Sequence, residues 1–248
     1  MWQDSFTLYE LVTVMRQQED GEFANLLNCL REGLQSESDI TVLQSMVVEF
    51  ETDIIKEYQH LYTARAEVDQ FNNEIFELST TKNAYIESID LVTGDVDITL
   101  QKTILEKIPQ NDPSKTMGLQ TIMKIAENLN ADICTNISIE DGLTNGASCC
   151  IKLLDYRVEG SKRCSIIWVL FDDVNIGMQQ RQKYSYLRNT KVEPSWTPIF
   201  EITRKFKVGH SSGYHIIRRQ FPLRLSATKT IHKSQGSTLN NVVVNFSN

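Results

Sequence analysis

The chain has 248 residues, 41% hydrophobic and 23% charged, an ordinary globular composition that suits one large domain or two small ones. No apolar run approaches the roughly 18 residues of a membrane span, and the first ten residues lack the basic start and apolar core of a signal peptide. Five cysteines without a Cys-x-x-Cys pair read as free, mostly buried thiols of an intracellular protein, not as a disulfide framework. The net charge of −7 hides an asymmetry. Residues 1–180 hold 13 Lys/Arg against 30 Asp/Glu, net −17, whereas residues 181–248 hold 12 against 2, net +10. A basic final quarter is either a polyanion-binding surface or the internal counterweight to the acidic part, and charge alone does not choose between them.

Along the chain, Phe23, Leu26, Leu27, Leu30 and Leu34 fall at helical spacing, with Asp20 placed to cap and Gly33 placed to end the helix. A second helix is expected over 64–78, with Val68, Phe71, Ile75 and Leu78 facing inward. The strand His60-Leu61-Tyr62 precedes it, and strand then helix is the unit of an α/β layer. The stretch 80–115 is mixed and polar, with Pro109 and Pro113 as breakers, and carries no clear pattern. Asp95-Val-Asp97 lies there and reads as loop, since a metal site would need further ligands. From 128 onward short β-forming runs at 131–135, 150–154, 166–171 and 198–207 alternate with Gly-bearing turns, the pattern of a small antiparallel barrel or sandwich. A helix is expected over 225–234 and a final strand over 241–246. The chain stops two residues after that strand, which suggests a truncated domain.

One run carries chemistry. Thr230-Ile-His232-Lys233-Ser234-Gln235-Gly236-Ser237-Thr238 follows Phe221-Pro-Leu and precedes Leu239-x-x-Val-Val-Val. A turn rich in hydroxyls presents donors to a phosphate. Thr230, Lys233 and Ser234 can donate to a nucleic-acid backbone, His232 can donate or stack, and Gly236 lets a ligand approach the backbone closely. Taken alone, His232 reads as a core histidine and Gly236 as a plain turn. As a run, these residues resemble the fifth helicase motif of superfamily-one enzymes, and with their flanks the sequence is similar to the petite-integration-frequency (Pif) branch of DNA helicases.

Other segments resemble that family in order. Phe6-Thr-Leu-Tyr-Glu-Leu-Val-Thr-Val-Met-Arg16-Gln17 resembles its fourth motif, and Leu61-Tyr-Thr-Ala-Arg65-Ala-Glu67-Val68-Asp69-Gln-Phe-Asn72 its next strand and helix. Asp141-Gly142-Leu143-Thr-Asn145-Gly146-Ala147 resembles the turn that enters an inserted barrel, although Ser148-Cys149-Cys150 stands where the family has another glycine. Asp112-Pro-Ser-Lys-Thr-Met-Gly-Leu119 points to the Helitron-like transposon lineage.

The resemblance implies an α/β fold: a RecA-like second helicase lobe, of P-loop NTPase type but without the P-loop, over 1–140 and 216–248, interrupted by a small β-barrel at 141–215. It implies that Thr230, His232, Lys233, Ser234 and Gln235 hold single-stranded DNA. Arg16 would sense the ATP phosphates, with Gln17, Gly236 and Ser237 near the nucleotide; Arg16 as a surface salt bridge is the plainer alternative. Arg181, Lys183, Arg188, Lys191, Arg204, Lys205 and Lys207 would touch the DNA backbone without sequence preference. The parent would be an ATP-dependent 5′ to 3′ DNA helicase of repair, recombination or mobile-element replication, nuclear or mitochondrial. No Gly-x-x-x-x-Gly-Lys-Ser/Thr, indeed no Gly-Lys pair, occurs in the chain, and no apolar strand ends in Asp-Glu. ATP and Mg2+ therefore belong to the complete enzyme, together with an N-terminal RecA-like lobe, and this chain alone is expected to hydrolyse nothing. A stand-alone single-stranded DNA-binding module and a non-functional transposon fragment are the rival readings.

Overall fold

The computed structural model describes residues 9, 21–47, 58–109, 112–157, 163–208, 213–235, 239 and 241–245. The chain divides into two compact units, residues 1–54 and 55–248. In the first, α1 spans Gly21–Glu32 and buries Ala24 and Leu26. Of its expected apolar face, Leu30 and Leu34 are exposed. Gly33 stops the helix in the left-handed region, at φ +70°. Helix α2, Glu37–Ser45, starts on a capping box in which Asp39 N–H donates to Ser36 Oγ and Ser36 N–H to the Asp39 carboxylate. It has no buried residue. The expected cap Asp20 lies outside the described residues.

The second unit is built on a parallel three-stranded sheet. Strand β1, Gln59–Tyr62, is its centre, flanked by β12, Thr228–Thr230, and β13, Val242–Val244. Tyr62 lies opposite Thr230. Helix α3, Arg65–Leu78, follows β1 and packs on β1 and β12. It buries Val68, Phe71 and Phe76, whereas Leu78 is exposed, so Phe76 takes the inward place expected of Leu78. Asn72 on α3 grips β12 through its side-chain amide, accepting from Thr228 N–H at 3.0 Å and donating to Thr228 C=O at 3.3 Å.

The stretch without a sequence pattern folds into β2, Asn83–Glu87, β3, Ile89–Thr93, and α4, Ile98–Glu106. A 3-10 turn at Pro113–Thr116 follows. Asp97 caps α4 by accepting from Leu100 N–H at 2.8 Å, which accounts for one half of the Asp-Val-Asp pair. Strand β4, Ile122–Ala126, pairs with β2.

Next come β5, Asn130–Ile133, β6, Ser148–Asp155, β7, Ile166–Phe171, and helix α5, Met178–Lys183. The chain continues through β8, Thr197–Ile199, β9, Ile202–Phe206, β10, His215–Gln220, and β11, Leu223–Leu225. The strands form an antiparallel sheet in the order β11-β5-β6-β7-β8 and a second one in the order β3-β10-β9. Among the described residues these sheets are open, and the expected closed barrel is not found. The segment 198–207, read as one strand, breaks at Phe200-Glu201. Its halves β8 and β9 enter different sheets, so β8 remains an edge.

The main core lies against the five-stranded sheet, where Ile133, Ile151, Ile167 and Val169 meet Phe76 of α3, Met123 and Ile125 of β4, and Phe221. Trp168 points to the opposite face, among Ile166, Val192 and Trp196. The helix expected over 225–234 is a correction: the chain instead runs β11, then β12, then one helical turn, α6, Ile231–Ser234.

Candidate nucleic-acid interface

Strand β12 delivers the hydroxyl-rich turn to the carboxyl edge of the parallel sheet, the edge at which open α/β sheets bind ligands. Thr230 caps α6, its Oγ1 accepting from Lys233 N–H at 3.4 Å. Ser234 Oγ donates back to Ile231 C=O at 2.7 Å, so that hydroxyl is engaged within the turn. His232, Lys233 and Gln235 are exposed. Gly236 and Ser237 lie outside the described residues, as do Arg16 and Gln17.

An open cleft of about 620 Å³ runs along α3, lined among others by Arg65, Asp69, Asn72, Thr121, Lys124 and Arg224. Arg65 sits in the first turn of α3, three residues after Tyr62, whose strand partner is Thr230. Arg65 therefore stands at the sheet edge that carries the turn, whereas Asn72 and Leu225 lie toward the other end of the sheet. The helix start has its own carboxylate: Glu67 accepts from Ala64 N–H at 3.2 Å. Thr121 Oγ1, also on the cleft, is buried without a hydrogen-bond partner. Arg65 has no assigned role in the sequence and Arg224 follows Phe221-Pro-Leu223; only the fold brings the two onto one cleft.

The basic final quarter sorts by residue type. Arg218 pairs with Asp90 at 2.7 Å, Arg219 with Glu201 at 3.1 Å and Lys229 with Asp132 at 2.9 Å. Arg181 donates to the carbonyls of Val174 and Ile176 and to Thr197 Oγ1. Burial lowers its pKa from the ordinary value, with the Asp141 carboxylate opposing the shift. Arg188 donates to the Arg181 carbonyl at 3.1 Å, and Arg204 to the Asn136 carbonyl at 2.8 Å. Lys191, Lys205, Lys207 and Lys233 are exposed, and among the described residues none has a carboxylate within ion-pair distance. Lys205 and Lys207 share the outward face of β9, opposite Arg204 and Phe206. Burial, and then the charges of Lys205 and Lys207, lower the pKa of nearby His215. Arg181, Arg188, Arg204 and Arg218 thus brace the fold, and so does the buried Lys229, while Lys191, Lys205, Lys207 and Lys233 face solvent.

The Asp-Gly-Leu-x-Asn-Gly-Ala turn also braces this surface. The buried Asp141 carboxylate accepts from Gln179 N–H at 2.8 Å and Gln180 N–H at 2.9 Å, capping α5 from a distant part of the chain. Gly142 and Gly146 supply φ of +70° and +93°. Asp141→Ala is expected to cost about 1–2 kcal/mol and to loosen the Lys183 helix. Thermal unfolding and amide exchange over 178–183 test this, and unchanged exchange there would rule the cap out.

Among the described residues there is no cluster of three or more possible metal ligands and no helix long and apolar enough to cross a membrane. The cysteines are free thiols, and burial pushes Cys134 up to about 11 and Cys164 up to about 12.

No protein-family model matches the chain, and no curated protein does. Solved structures do. Pif1 helicase from Candida albicans matches with a TM-score of 0.59 at 20% identity, over 94% of this chain and 48% of that one. Bacteroides Pif1 bound to single-stranded DNA matches at 0.58 and 17%, over 95% and 45%. The Bacteroides enzyme in complex with ADP-AlF3 and single-stranded DNA matches at 0.56 and 19%, over 96% and 46%. The chain spans a little under half the length of these helicases. Its structural neighbours are Pif1 helicases, and what it shares with them is the fold of a part of the molecule.

Proposed function

We propose that this chain is the second, RecA-like lobe of an ATP-dependent DNA helicase and that it grips single-stranded DNA through Thr230, His232, Lys233 and Gln235. The carrying observation is the placement of that turn at the carboxyl edge of the parallel sheet, with His232 and Lys233 exposed. The parallel sheet draws β1 from the first part of the chain and β12 and β13 from the last, which supports a lobe split in sequence around a β-rich segment whose sheets also take in β3, β5, β10 and β11. Several structural neighbours carry single-stranded DNA in their solved complexes. Lys191, Lys205 and Lys207 add sequence-independent attraction to the backbone.

In the complete motor, ATP with Mg2+ sits between this lobe and a P-loop lobe, with Arg16, Gln17, Gly236 and Ser237 on this lobe's side. Translocation is 5′ to 3′. One lobe makes half a nucleotide site, so the chain alone binds DNA without turning over ATP.

The test is binding of a fluorescent oligo-dT over a range of salt concentrations. Wild-type affinity is expected to fall steeply with salt, and Lys233→Ala to flatten the log–log slope by about 0.7, the single-strand value for one lost phosphate contact. His232→Ala is expected to weaken binding by about tenfold if the ring stacks on a base, about 1–3 kcal/mol per base. A folded chain that ignores oligo-dT at low salt would sink the reading. DNA affinity that stays unchanged when a P-loop lobe and ATP are supplied would favour the stand-alone module.

A further inference from the structure

Lys229 immediately precedes the gripping turn, and it is a buried cation. Its side chain is 9% exposed and its Nζ lies 2.9 Å from Asp132 Oδ1, itself on a side chain 8% exposed. The same Nζ is 2.5 Å from Ser148 Oγ. Asp132 Oδ1 also accepts from Ser148 Oγ and Ser226 Oγ, both at 2.9 Å. Three side chains thus close on one carboxylate oxygen of Asp132 on β5: Ser148 from β6, Lys229 from β12 and Ser226 from the crossing between β11 and β12.

That crossing is a junction between two sheets. At Leu225 the chain pairs with Ala131 in the antiparallel sheet; at Thr228 it pairs with His60 in the parallel one. Only Ser226 and Ala227 lie between. Gln59 Nε2 donates to the Ala227 carbonyl at 2.8 Å, and Ser226 N–H donates to Asn130 C=O at 2.9 Å. Asp132 therefore binds the junction on both sides, through Ser226 before it and Lys229 after it. An apolar pair would fill the same space without desolvating two charges, whereas an ion pair fixes direction as well as distance.

We propose that Lys229 is a positioning residue: its pair with Asp132, closed by Ser148 and Ser226, sets the gripping turn at Thr230 against the antiparallel sheet and ties the two sheets into one DNA-holding unit. This rests on the DNA-gripping reading of the turn. Lys229 itself does not touch the strand.

The test compares Lys229→Met, Lys229→Met/Asp132→Leu and Lys233→Ala in the full chain, by thermal unfolding, by amide hydrogen exchange over 228–235 and by oligo-dT binding at several salt concentrations. Removing one partner strands a buried charge, so the single variant is expected to be the less stable one; the apolar double variant is expected to melt close to wild type. If the pair positions the turn, the double variant still exchanges about tenfold faster over 228–235. Its affinity for oligo-dT falls about fivefold while its salt slope stays that of wild type, unlike the slope of Lys233→Ala. A double variant with wild-type exchange over 228–235 would overturn the proposal and leave the pair as packing alone. A flattened salt slope in Lys229→Met would also overturn it, because Lys229 would then be a phosphate contact. If wild type binds no oligo-dT, the DNA reading fails by itself, and the exchange comparison still decides whether the pair positions the turn.

Discussion

Arg218→Met is expected to lower the unfolding free energy by about 3–5 kcal/mol, the usual cost of removing one partner from a buried ion pair. Arg218 lies on β10 with its side chain fully buried. Its Nε and one Nη donate to the two Asp90 oxygens at 2.8 and 2.7 Å, its other Nη donates to the Leu119 carbonyl at 2.9 Å, and its guanidinium carbon stands 5.5 Å from the Phe206 ring. One fork thereby joins β3, β10 and β9 to the loop ahead of β4. Methionine fills much of the volume but takes away the cation opposite Asp90 and leaves Leu119 C=O with the Thr116 hydroxyl as its donor. Against a typical total of about 5–15 kcal/mol, that loss is a large fraction of the stability. Urea unfolding measures it directly. Arg218→Met/Asp90→Leu is expected to recover most of the loss, since the stranded carboxylate is the main penalty. A single variant within about 1 kcal/mol of wild type would mean that water reaches Asp90 and the clamp is not the brace described.

How much of this was legible in the sequence depends on the range of the interactions. The β1–α3 unit and the position of the hydroxyl-rich turn show in local periodicity and in the order of residue types, and β7 shows as an apolar run with both faces covered. Strands β2 and β3 did not show, because each has solvent on one side: β2 buries Ile86 alone, so its alternation is swamped by polar residues. The run 225–234 looks helical by spacing, yet backbone pairing of Thr228 to His60 and of Leu225 to Ala131 outweighs a weak local preference. Lys229 reads as a surface lysine until Asp132, far away in sequence, is brought under it. Arg204 looked like a partner of Lys205 and Lys207, but the strand's period of two turns it to the other face, where the Asn136 carbonyl takes its guanidinium. The basic final quarter divides: Arg218 and Lys229 neutralise buried or nearly buried carboxylates, and Lys191, Lys205, Lys207 and Lys233 face solvent.

ATP turnover by the complete motor is expected to fall about a thousandfold on Arg16→Ala, at the lower end of what an arginine acting on the transferring phosphoryl group supplies. The isolated chain offers no phosphate-cradling loop, so the experiment joins it in frame behind a lobe bearing Gly-x-x-x-x-Gly-Lys-Thr and follows phosphate release with and without oligo-dT. The isolated chain is expected to release none above the blank, and the joined protein to be stimulated by DNA. An arginine that meets the γ-phosphate only as charge develops lowers kcat far more than it raises KM for ATP. Arg16→Lys is expected to be nearly as damaging as Arg16→Ala, because an ammonium cannot reproduce the two-pronged contact of a guanidinium. The alternative role of Arg16, an exposed ion pair, is worth about 0–1 kcal/mol and would leave kcat within a few fold of wild type. These outcomes differ by more than two orders of magnitude, so one measurement of kcat in the joined protein decides whether the lobe contributes a group to the chemistry or only a grip on the strand.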